Sequence, residues 1–413
     1  MGKLRDRMRR WAVNQLRGAL GSEGFLKVIS ERVAAASGEV VTADTALTVS
    51  AVYACVRVLS ETVASLPLFI YQARKDGGKD AVRKHPLWGL LHDKPNQDQT
   101  AYEYWEQGMA HLNLRGNFFS QKIREASGAV VELVPLMPDA MKIERSDSGA
   151  LVYKYTNPTD GKEKQYPQDQ IWHVKGLSCD GIVGLSPITQ AREAIGISMA
   201  ADKYGARFFK NNARPSGYIK HPGQLKETAL EHLKDSLNST FGGENVHSIG
   251  VFEEGMEWHQ ISVTNEDAQF LQSRQFQIEE IARIFRVPCV LIGHPDNTST
   301  YASAEQFFLS FVVHTIRPWV TRIEKSINVH LITEADRKRG IFAEFKLDGL
   351  LRGDTAARYT AYSIAIANRI MNPNEVRALE NMNPYEGGDV YENPHINPST
   401  PTGESIGEPP TGE

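Results

Sequence analysis

Residues 264–300 read TNEDAQFLQSRQFQIEEIARIFRVPCVLIGHPDNTST, and they predict a helix followed by an exposed loop. Polar residues open the stretch, as at helix N-termini, and apolar residues then recur at the spacing of one helix face. We expect the helix to end at Arg286-Val287-Pro288, because proline lacks a backbone donor and forces the preceding residue out of the helical region. A short apolar anchor, residues 289–293, precedes a polar loop at residues 294–300.

A second helical pattern follows from Tyr301 to Leu331, with Pro318 inside it. A proline usually kinks a helix when the apolar pattern continues on both sides of it. The apolar face of this pattern comprises Phe308, Phe311, Val312, Ile316, Trp319, Val320, Ile323, Ile327 and Leu331. We therefore expect the fold to be organised around a helix, an exposed loop and a long kinked helix.

Length and composition restrict the class of protein. A chain of 413 residues exceeds what one hydrophobic core normally serves, so we expect at least two subdomains. Apolar residues make up 41% of the chain, but no window approaches the roughly 18 uninterrupted apolar residues of a membrane span. The three cysteines, Cys55, Cys179 and Cys289, are far apart, which indicates a reducing compartment and argues against a disulfide framework or a zinc site. We expect a soluble protein with no membrane partner.

The charge distribution limits how the protein binds nucleic acid. The formal net charge is −4, whereas proteins that grip duplex DNA usually present a basic face, because each neutralised phosphate releases counterions. Residues 1–40 mix basic and small side chains without an apolar secretory core, which predicts a solvated arm. We expect any nucleic acid partner to be held by something other than charge over the whole surface.

Residues 48–173 predict a mixed helix and strand lobe. A helix at residues 48–64 is followed by segments with a period of two, separated by turn residues. The predicted hairpins span residues 68–82, 118–134 and 141–155, with a helix at residues 102–114 among them. This pattern predicts an α+β fold.

A long helix and a compact insert follow the lobe. Ser186 and Pro187 are typical of the N-cap and first position of a helix that we predict over residues 187–211. Gly196 and Gly205 inside it each cost roughly 1 kcal/mol relative to alanine, which indicates close approach of a partner helix or of a neighbouring copy of the chain. The insert, residues 214–261, then carries strand, helix and hairpin patterns between two long helices.

The last part of the chain predicts shorter elements. A strand is expected near residues 342–347, a helix at residues 354–366, and a further short helix from Asn372-Pro373. Residues 391–413 are rich in Pro, Gly, Ser, Thr and Glu, which predicts a disordered tail.

No catalytic, metal or cofactor site is predicted. The Walker loop, GxGxxG, HExxH, GxSxG and EF-hand patterns are absent. Ser178 and Cys179 lack the strand-to-helix elbow that would frame a nucleophile, and His294 with Asp296 lacks a further His or Cys at ligand spacing. Three acid pairs that could hold magnesium have structural explanations as a turn, a helix N-terminus and a solvated helix face: residues 253–254, 266–267 and 279–280.

Several short segments, taken in order and at their spacing, carry a family resemblance. They are VSAVYACV at residues 49–56, ASLP at 64–67, HPL at 85–87, KPN at 94–96, GLSP at 184–187, FFKN at 208–211, PSG at 215–217, IARIF at 281–285, VP at 287–288 and NEVR at 374–377. With these segments the chain resembles the portal proteins of tailed bacteriophages, the head-to-tail connectors, in the branch typified by phage HK97. The resemblance covers nearly all of residues 45–390.

The resemblance implies a non-enzymatic ring of twelve subunits at one capsid vertex, through which double-stranded DNA is pumped in and later ejected. It also gives names to the parts of the chain. These are an N-terminal arm (1–40), a wing (41–185), a stem helix (186–213), a clip (214–262), a second stem helix (263–288), a tunnel loop (289–300), a long kinked helix that returns to the wing (301–349), a crown (350–390) and the disordered tail (391–413).

Two functional surfaces follow from the resemblance. The tunnel loop would line the DNA channel with His294, Asp296, Asn297, Thr298, Ser299 and Thr300. The clip would dock the packaging motor, through the terminase large subunit, and later the head-tail adaptor, using Gly242, Gly243, Glu244, Asn245, Glu253 and Glu254. The major capsid protein is a further implied partner, and the implied locations are the virion and, during assembly, the host cytoplasm.

Sliding DNA requires weak contacts, because a channel studded with lysines would hold the phosphates by counterion release. We therefore expect the neutral side chains of Asn297, Thr298 and Ser299 to approach DNA most closely. Two alternatives remain open: another structural virion component, such as an adaptor or capsid protein, and a packaging nuclease or ATPase. The two stem helices that bracket an insert favour the portal, because a shell protein needs no stalk.

Overall fold

The structure is a computed structural model, and it describes most of the chain between residues 34 and 391. The described residues are 34–75, 77–126, 128–210, 217–220, 223, 227–228, 231–232, 235, 256–260, 266–294, 301–347, 350, 355–380 and 382–391. They form two compact units, Met1–Lys346 and Leu347–Glu413. None of the helices within these residues is long and apolar enough to span a membrane.

The first unit contains both helices and strands. Its described helices are α1 (Ala43–Ala46), α2 (Ser50–Ala64), α3 (Pro86–Trp88), α4 (Ala101–Arg115), α5 (Pro187–Gln190), α6 (Arg192–Lys210), α7 (Glu266–Phe285), α8 (Tyr301–Phe311), α9 (Arg317–His330) and α10 (Glu334–Lys338). Its described strands are β1 (Leu68–Ala73), β2 (Lys79–Ala81), β3 (Asn117–Arg124), β4 (Val130–Leu136), β5 (Met141–Arg145), β6 (Leu151–Thr156), β7 (Glu163–Pro167), β8 (Ile171–Lys175), β9 (Gly217–Lys220), β10 (Glu257–Gln260) and β11 (Ile341–Phe345).

The strands pair antiparallel in small sheets of order β11-β1-β2, β4-β3-β8, β5-β6-β7 and β10-β9. The three predicted hairpins are confirmed as β1–β2, β3–β4 and β5–β6, and α4 lies where a helix was predicted. The strand predicted near residue 342 is β11, which pairs with β1 in a register that places Phe345 opposite Leu68. This architecture confirms the predicted α+β fold class.

An aromatic cluster joins the helices of the lobe to two of its sheets. Phe118 of β3 meets Tyr104 of α4 and Trp172 of β8 edge-on, with ring centroids 5.4 and 5.9 Å apart. Trp105 of α4 meets Phe345 of β11 in the same way at 5.6 Å. Edge-to-face pairs of this kind contribute about 0.5–1.5 kcal/mol each beyond the burial of their surface. The cluster therefore fixes α4 between the β4-β3-β8 sheet and the β11-β1-β2 sheet.

A close backbone contact joins the lobe to the start of the stem. Gly116 ends α4 with a φ of 73°, and its carbonyl oxygen accepts from the Gly176 N–H at 2.7 Å. A Cβ atom on Gly116 would overlap the Leu185 carbonyl, and one on Gly184 would overlap the Gly116 carbonyl. Both positions therefore require glycine, because the two segments approach more closely than side chains allow.

Hydrogen bonds from Asn117 hold this contact. The Asn117 amide nitrogen donates to the Gly184 carbonyl oxygen at 2.8 Å, and its amide oxygen accepts from the Gly184 N–H at 2.7 Å. The same oxygen accepts from Nε2 of His173 at 3.0 Å, which leaves Nδ1 of His173 to accept from the Tyr153 hydroxyl at 3.3 Å. The buried asparagine and histidine are therefore fully paired, as buried polar groups must be.

The stem helix differs from its prediction in two respects. Ser186 caps it and Pro187 occupies its first position as predicted, but the helix breaks at Ala191 into α5 and α6, and no contact among the described residues explains the break. The close approach at Gly196 comes from residues 34–41 of the same chain and not from another of its helices. A Cβ atom there would collide with Ala35 of the same chain, where residues 34–41 pack on α6.

This packing also corrects the prediction of a solvated arm for its last residues. The Ala36 N–H donates to the Glu193 carboxylate at 2.8 Å, and Lys203 pairs with Glu39 at 2.5 Å. The remainder of the predicted arm, residues 1–33, lies outside the described residues.

The second unit contains α11 (Thr355–Ala367) and α12 (Pro373–Leu379), where helices were predicted. Asn372 caps α12, because its side chain accepts from the Glu375 N–H at 2.8 Å and the Glu375 carboxylate accepts from the Asn372 N–H at 2.9 Å. Arg358 of α11 pairs with Glu380 at 2.8 Å, which fixes the two helices against each other.

We predict that Gly184→Ala destabilises the protein by about 3 kcal/mol, because the added methyl group has no space beside a fixed backbone. The matched control is Gly89→Ala, since Gly89 has helical φ and ψ angles and a methyl group added there would meet no atom within 4 Å. Denaturant unfolding of both variants measures the difference. Equal stabilities for the two variants would show that the contact at Gly184 is not tight.

A second prediction concerns acid. Burial lowers the pKa of His173 well below its usual value, with Lys175 and His330 adding to the shift, and burial lowers the pKa of His111 to about 4. The unfolded chain takes up these protons near pH 6.5 and the folded chain does not, so stability falls as pH decreases below 6.5, by at most about 1.4 kcal/mol per pH unit for each histidine.

Unfolding measured from pH 7 to pH 5 tests this. His330, whose pKa burial also lowers, adds to the same slope, and Glu324, whose pKa burial raises, opposes it. The variant His173→Gln is expected to show a shallower loss of stability with acid than the unmodified chain. An identical slope in both would contradict the prediction.

Candidate functional site

Of the six residues predicted to line the channel from the tunnel loop, the structure describes His294. Asp296, Asn297, Thr298, Ser299 and Thr300 lie outside the described residues, as do all the predicted clip residues, Gly242, Gly243, Glu244, Asn245, Glu253 and Glu254. The described geometry is therefore that of the elements from which the loop starts and to which it returns.

Helix α7 ends in a Schellman motif immediately before the loop. The Val287 N–H donates to the Ala282 carbonyl at 2.9 Å, and the Arg286 N–H donates to the Arg283 carbonyl at 3.1 Å. The residue that ends the helix, Arg286, has a φ of 56°. Glycine usually occupies this left-handed position, because any other side chain is strained there. The sequence pattern located the end of the helix correctly but gave no indication that an arginine would adopt this conformation.

A tight turn follows and sets the direction of the loop. Cys289–Ile292 forms one turn of 3₁₀ helix, and Gly293 closes it with a φ of 76°. The His294 N–H donates to the Cys289 carbonyl at 3.0 Å, so the first loop residue is fixed to the turn. This is the short apolar anchor that the sequence predicted.

The long helix after the loop is interrupted where a kink was predicted. Residues Val312–Ile316 form a π turn between α8 and α9, and Pro318 occupies the first turn of α9. A proline cannot donate to the preceding turn, so the wider turn accommodates the missing hydrogen bond. Within the π turn, the Thr315 hydroxyl donates to the Arg286 carbonyl at 2.7 Å. This hydrogen bond ties the two sides of the loop together.

The stem and the kinked helix present apolar side chains to solvent. Tyr204 of α6 is 56% exposed, Phe276 of α7 is 54% exposed, and Leu309 of α8 is 52% exposed. Ile197 of α6, Phe307 of α8 and Val313 of the turn after α8 are also exposed. Phe276 lies on the face of α7 opposite Ile281 and Phe285, which are buried in the core of the first unit. These helices therefore each bury one face within the chain and expose apolar side chains on another.

A salt bridge aligns the two stem helices. Arg274 of α7 pairs with Asp202 of α6 at 2.6 Å. Beyond them the insert is described mainly through β9 and β10, which pair in a register that places Trp258 opposite Ile219. The helix predicted at residues 224–240 and the hairpin partner at residues 249–252 lie largely outside the described residues.

Ser178, one of the rejected chemical candidates, has a structural role. The Ser178 hydroxyl donates to the Val183 carbonyl at 2.6 Å, and the Asp180 carboxylate accepts from the Ile182 and Val183 N–H groups at 2.7 and 2.9 Å. These bonds fold the turn that leads into Gly184. Among the described residues, no group of His, Cys, Asp and Glu side chains is arranged to hold a metal ion.

The strain at Arg286 generates a prediction. Arg286→Gly should raise the free energy of unfolding by on the order of 1 kcal/mol, because glycine adopts a positive φ without steric cost. Thermal unfolding of the full chain measures the change. Arg286→Ala keeps the strain while removing the same guanidinium, so a gain in the alanine variant as well would mean that charge, not backbone conformation, limits stability here.

Comparison with known proteins relates this arrangement to one family. The family model described as phage portal protein matches residues 50–381. The chain is 38% identical over 370 residues to the probable portal protein of Streptomyces phage phiC31, covering 86% of this chain and 79% of that one. It is 34% identical over 348 residues to the portal protein of Enterobacteria phage HK97, covering 83% and 81% of the two chains.

Two solved structures of a gene transfer agent neck are also similar. One, of the empty particle computed with C6 symmetry, has a TM-score of 0.57 and 25% identity, covering 81% of this chain and 90% of that one. The other, of the native particle computed with C12 symmetry, has a TM-score of 0.57 and 24% identity over the same shares.

Proposed function

The chain belongs to the phage portal protein family, and on that premise we propose that twelve copies form a closed ring whose central channel passes double-stranded DNA during packaging and ejection. The protein is a structural portal component of the phage virion and not an enzyme. The ring, its copy number and the path of DNA are the parts of the proposal that require testing.

The observation that supports the ring is the number of exposed apolar side chains on the stem and kinked helices. Large apolar patches on soluble chains usually mark surfaces that another molecule covers. Tyr204, Phe276 and Leu309 are each more than half exposed in one copy, although they lie on helices whose other faces are packed. Neighbouring copies in a ring would bury them, and the similar neck structures were computed with sixfold and twelvefold symmetry.

The proposed tunnel loop begins from a firmly anchored base. The turn at Cys289–Ile292 and the Thr315 hydrogen bond to Arg286 hold the two sides of the loop. Asn297, Thr298 and Ser299 between them are neutral, so their hydrogen bonds to phosphate break without counterion exchange. DNA would thus be guided by the loop and remain free to slide.

The remaining partners belong to the same proposal. The terminase large subunit and later the head-tail adaptor would dock on the clip, and the major capsid protein would surround the ring. Assembly would take place in the host cytoplasm before the ring is enclosed in the virion. A role as an adaptor or shell protein, or as a packaging nuclease or ATPase, has no observation in its favour.

Native mass spectrometry with negative-stain imaging of the purified chain tests the ring. A closed ring near twelve copies with a central hole is expected. A chain that stays monomeric under all assembly conditions, including with capsid protein present, would overturn the proposal.

The loop is tested in rings that assemble normally. We predict that replacing Asn297, Thr298 and Ser299 together by glycine lowers the retention of packaged DNA in an infection assay, because the hydrogen-bonding side chains are lost. The matched control replaces Ser146, Ser148 and Thr159 by glycine as well. These residues lie in exposed hairpin turns of the lobe, so retention of DNA should stay unchanged. Unchanged retention in the loop variant would remove these residues from the proposed contact.

A further inference from the structure

An open pocket lies where β1 and β2 meet the turn between α10 and β11. Its cavity is about 670 Å³, which is within the size range of protein sites that hold a ligand. All of its lining residues belong to the first unit. We call it the cationic pocket, and its polar lining comprises Gln72, Arg74, Lys75, Asp80, Lys338 and Arg339.

The pocket presents positive charge to solvent in a chain that is acidic as a whole. Residues 74–84 and 334–340 contain eight Lys and Arg residues and four Asp and Glu residues, whereas the formal net charge of the chain is −4. The side chains of Arg74, Lys338 and Arg339 are 54%, 76% and 66% exposed. Lys75 is exposed as well. The cations of the pocket are therefore accessible to a ligand.

Hydrogen bonds fix the two sides of the pocket relative to each other. The Gln72 side-chain amide donates to the Arg339 carbonyl oxygen at 3.1 Å, and the Ala73 N–H donates to the Gly340 carbonyl oxygen at 2.9 Å. These bonds join the end of β1 to the turn after α10. The buried carboxylate of Asp336 pairs with the Arg339 guanidinium, which orients that side chain. The pocket is thus a built feature of the fold.

Ion pairs within the chain leave the cations available. Arg74 pairs with Asp80 at 2.6 Å and Lys338 pairs with Glu334 at 2.9 Å, but both pairs are more than half exposed. Exposed pairs contribute little net free energy, and a lysine ammonium carries three donors, so a ligand carboxylate can share Lys338 with Glu334. Lys75 forms no ion pair with any residue that the structure describes.

A structural role accounts for part of this charge only. Basic residues are common at helix C-termini because they interact favourably with the last carbonyl groups, which explains Lys338 and Arg339 at the end of α10. It does not explain Lys75, which comes from the turn between β1 and β2 and lines the same cavity. Cations from two distant segments of the chain converge here.

The lining indicates which anion fits. None of the described lining residues is aromatic, so a nucleotide base would have no ring to stack on. Phosphate sites usually offer backbone N–H groups, but those of Ala73, Arg74 and Gly340 donate to carbonyl oxygens within the chain. Recognition is left to side chains, and three of the four cations already hold carboxylates in this structure. Carboxylate groups therefore match the pocket better than phosphate groups do.

We propose that the cationic pocket binds a short acidic segment of a partner protein through the carboxylates of that segment. One carboxylate would lie between Lys75 on the β1–β2 side and Lys338 on the α10 side. The size of the cavity and its complementary charge supply the fit. The pocket shares no residue with the proposed tunnel loop or clip, so the proposal depends neither on the ring nor on the path of DNA.

The test measures binding of an acidic peptide to the purified full chain. Fluorescence anisotropy follows labelled octaglutamate, with labelled octaglutamine as its neutral match, at an ionic strength of about 0.1 M. The pocket variant combines Lys75→Glu with Lys338→Glu. Circular dichroism and thermal unfolding establish that each variant is folded.

The control variant combines Lys142→Glu with Lys162→Glu, which lie outside the pocket and are also exposed. It makes the same change in charge as the pocket variant. It also replaces one lysine without an ion pair among the described residues and one lysine in an exposed pair, because Lys162 pairs with Asp160 at 3.8 Å.

We expect the unmodified chain and the control variant to bind octaglutamate in preference to octaglutamine. The pocket variant should bind octaglutamate at least about tenfold more weakly, because two positive charges that face the peptide become negative. Lys75→Glu alone removes no contact with a described residue and should weaken binding in the same direction. Binding to the unmodified chain should weaken as salt rises toward about 1 M, where the Debye length falls to about 3 Å.

Three outcomes would overturn the inference. The first is equal affinity of the pocket variant and the control variant for octaglutamate, and the second is equal affinity of the unmodified chain for the two peptides. The third is displacement of the labelled peptide by inorganic phosphate or a DNA duplex at a lower concentration of anionic groups than unlabelled octaglutamate needs, since the pocket would then be a phosphate site. None of these measurements requires a ring, so a failure of ring assembly would count against the proposed function alone.

Discussion

The contact between Gly116 and Gly184 is the constraint on which the rest of the first unit depends. It brings the end of α4 against the segment that starts the stem helix, at a separation that no side chain permits. Asn117 then hydrogen-bonds both backbone groups of Gly184 and links them to His173 of the β4-β3-β8 sheet. A buried amide with all its groups paired fixes one geometry, because any displacement would leave a polar group without a partner. The stem therefore leaves the lobe in a single direction.

Specific polar contacts also hold the long helices in place. Arg274 and Asp202 align α6 with α7, and the Thr315 hydroxyl closes the end of α7 against the π turn. Each tie is worth only about 1 kcal/mol by itself, since an exposed ion pair or a single hydrogen bond contributes little net free energy. These contacts matter because of where they lie: they fix the positions of the elements from which the loop starts and to which it returns.

Local sequence patterns predicted the helices and strands. Contacts between distant segments of the chain, which such patterns do not contain, determine how these elements pack. The hairpins and α4 were predictable because turn residues and period are local, and Ser186-Pro187 marked a helix start for the same reason. The partners of Asn117 lie 56 and 67 residues away, and the Ala35 contact with Gly196 joins segments still farther apart, so no window of sequence contained them. Pro318 predicted a kink but not its form, because a proline marks where a helix hydrogen bond is missing and not whether a bend or a π turn accommodates the loss.

The Thr315 bond to Arg286 spans 29 residues of chain and closes them with one hydroxyl. The net free energy of one such hydrogen bond is roughly an order of magnitude smaller than the free energy of unfolding of a domain. The bond therefore opens far more often than α7 or α9 unfolds. In the proposed ring every copy would carry this hydrogen bond, and because both of its atoms belong to one chain, its opening in one copy would break no contact with the neighbouring copies. Each loop of the proposed ring would then adjust separately to the irregular surface of the passing DNA, while the helices that carry the loops keep their positions.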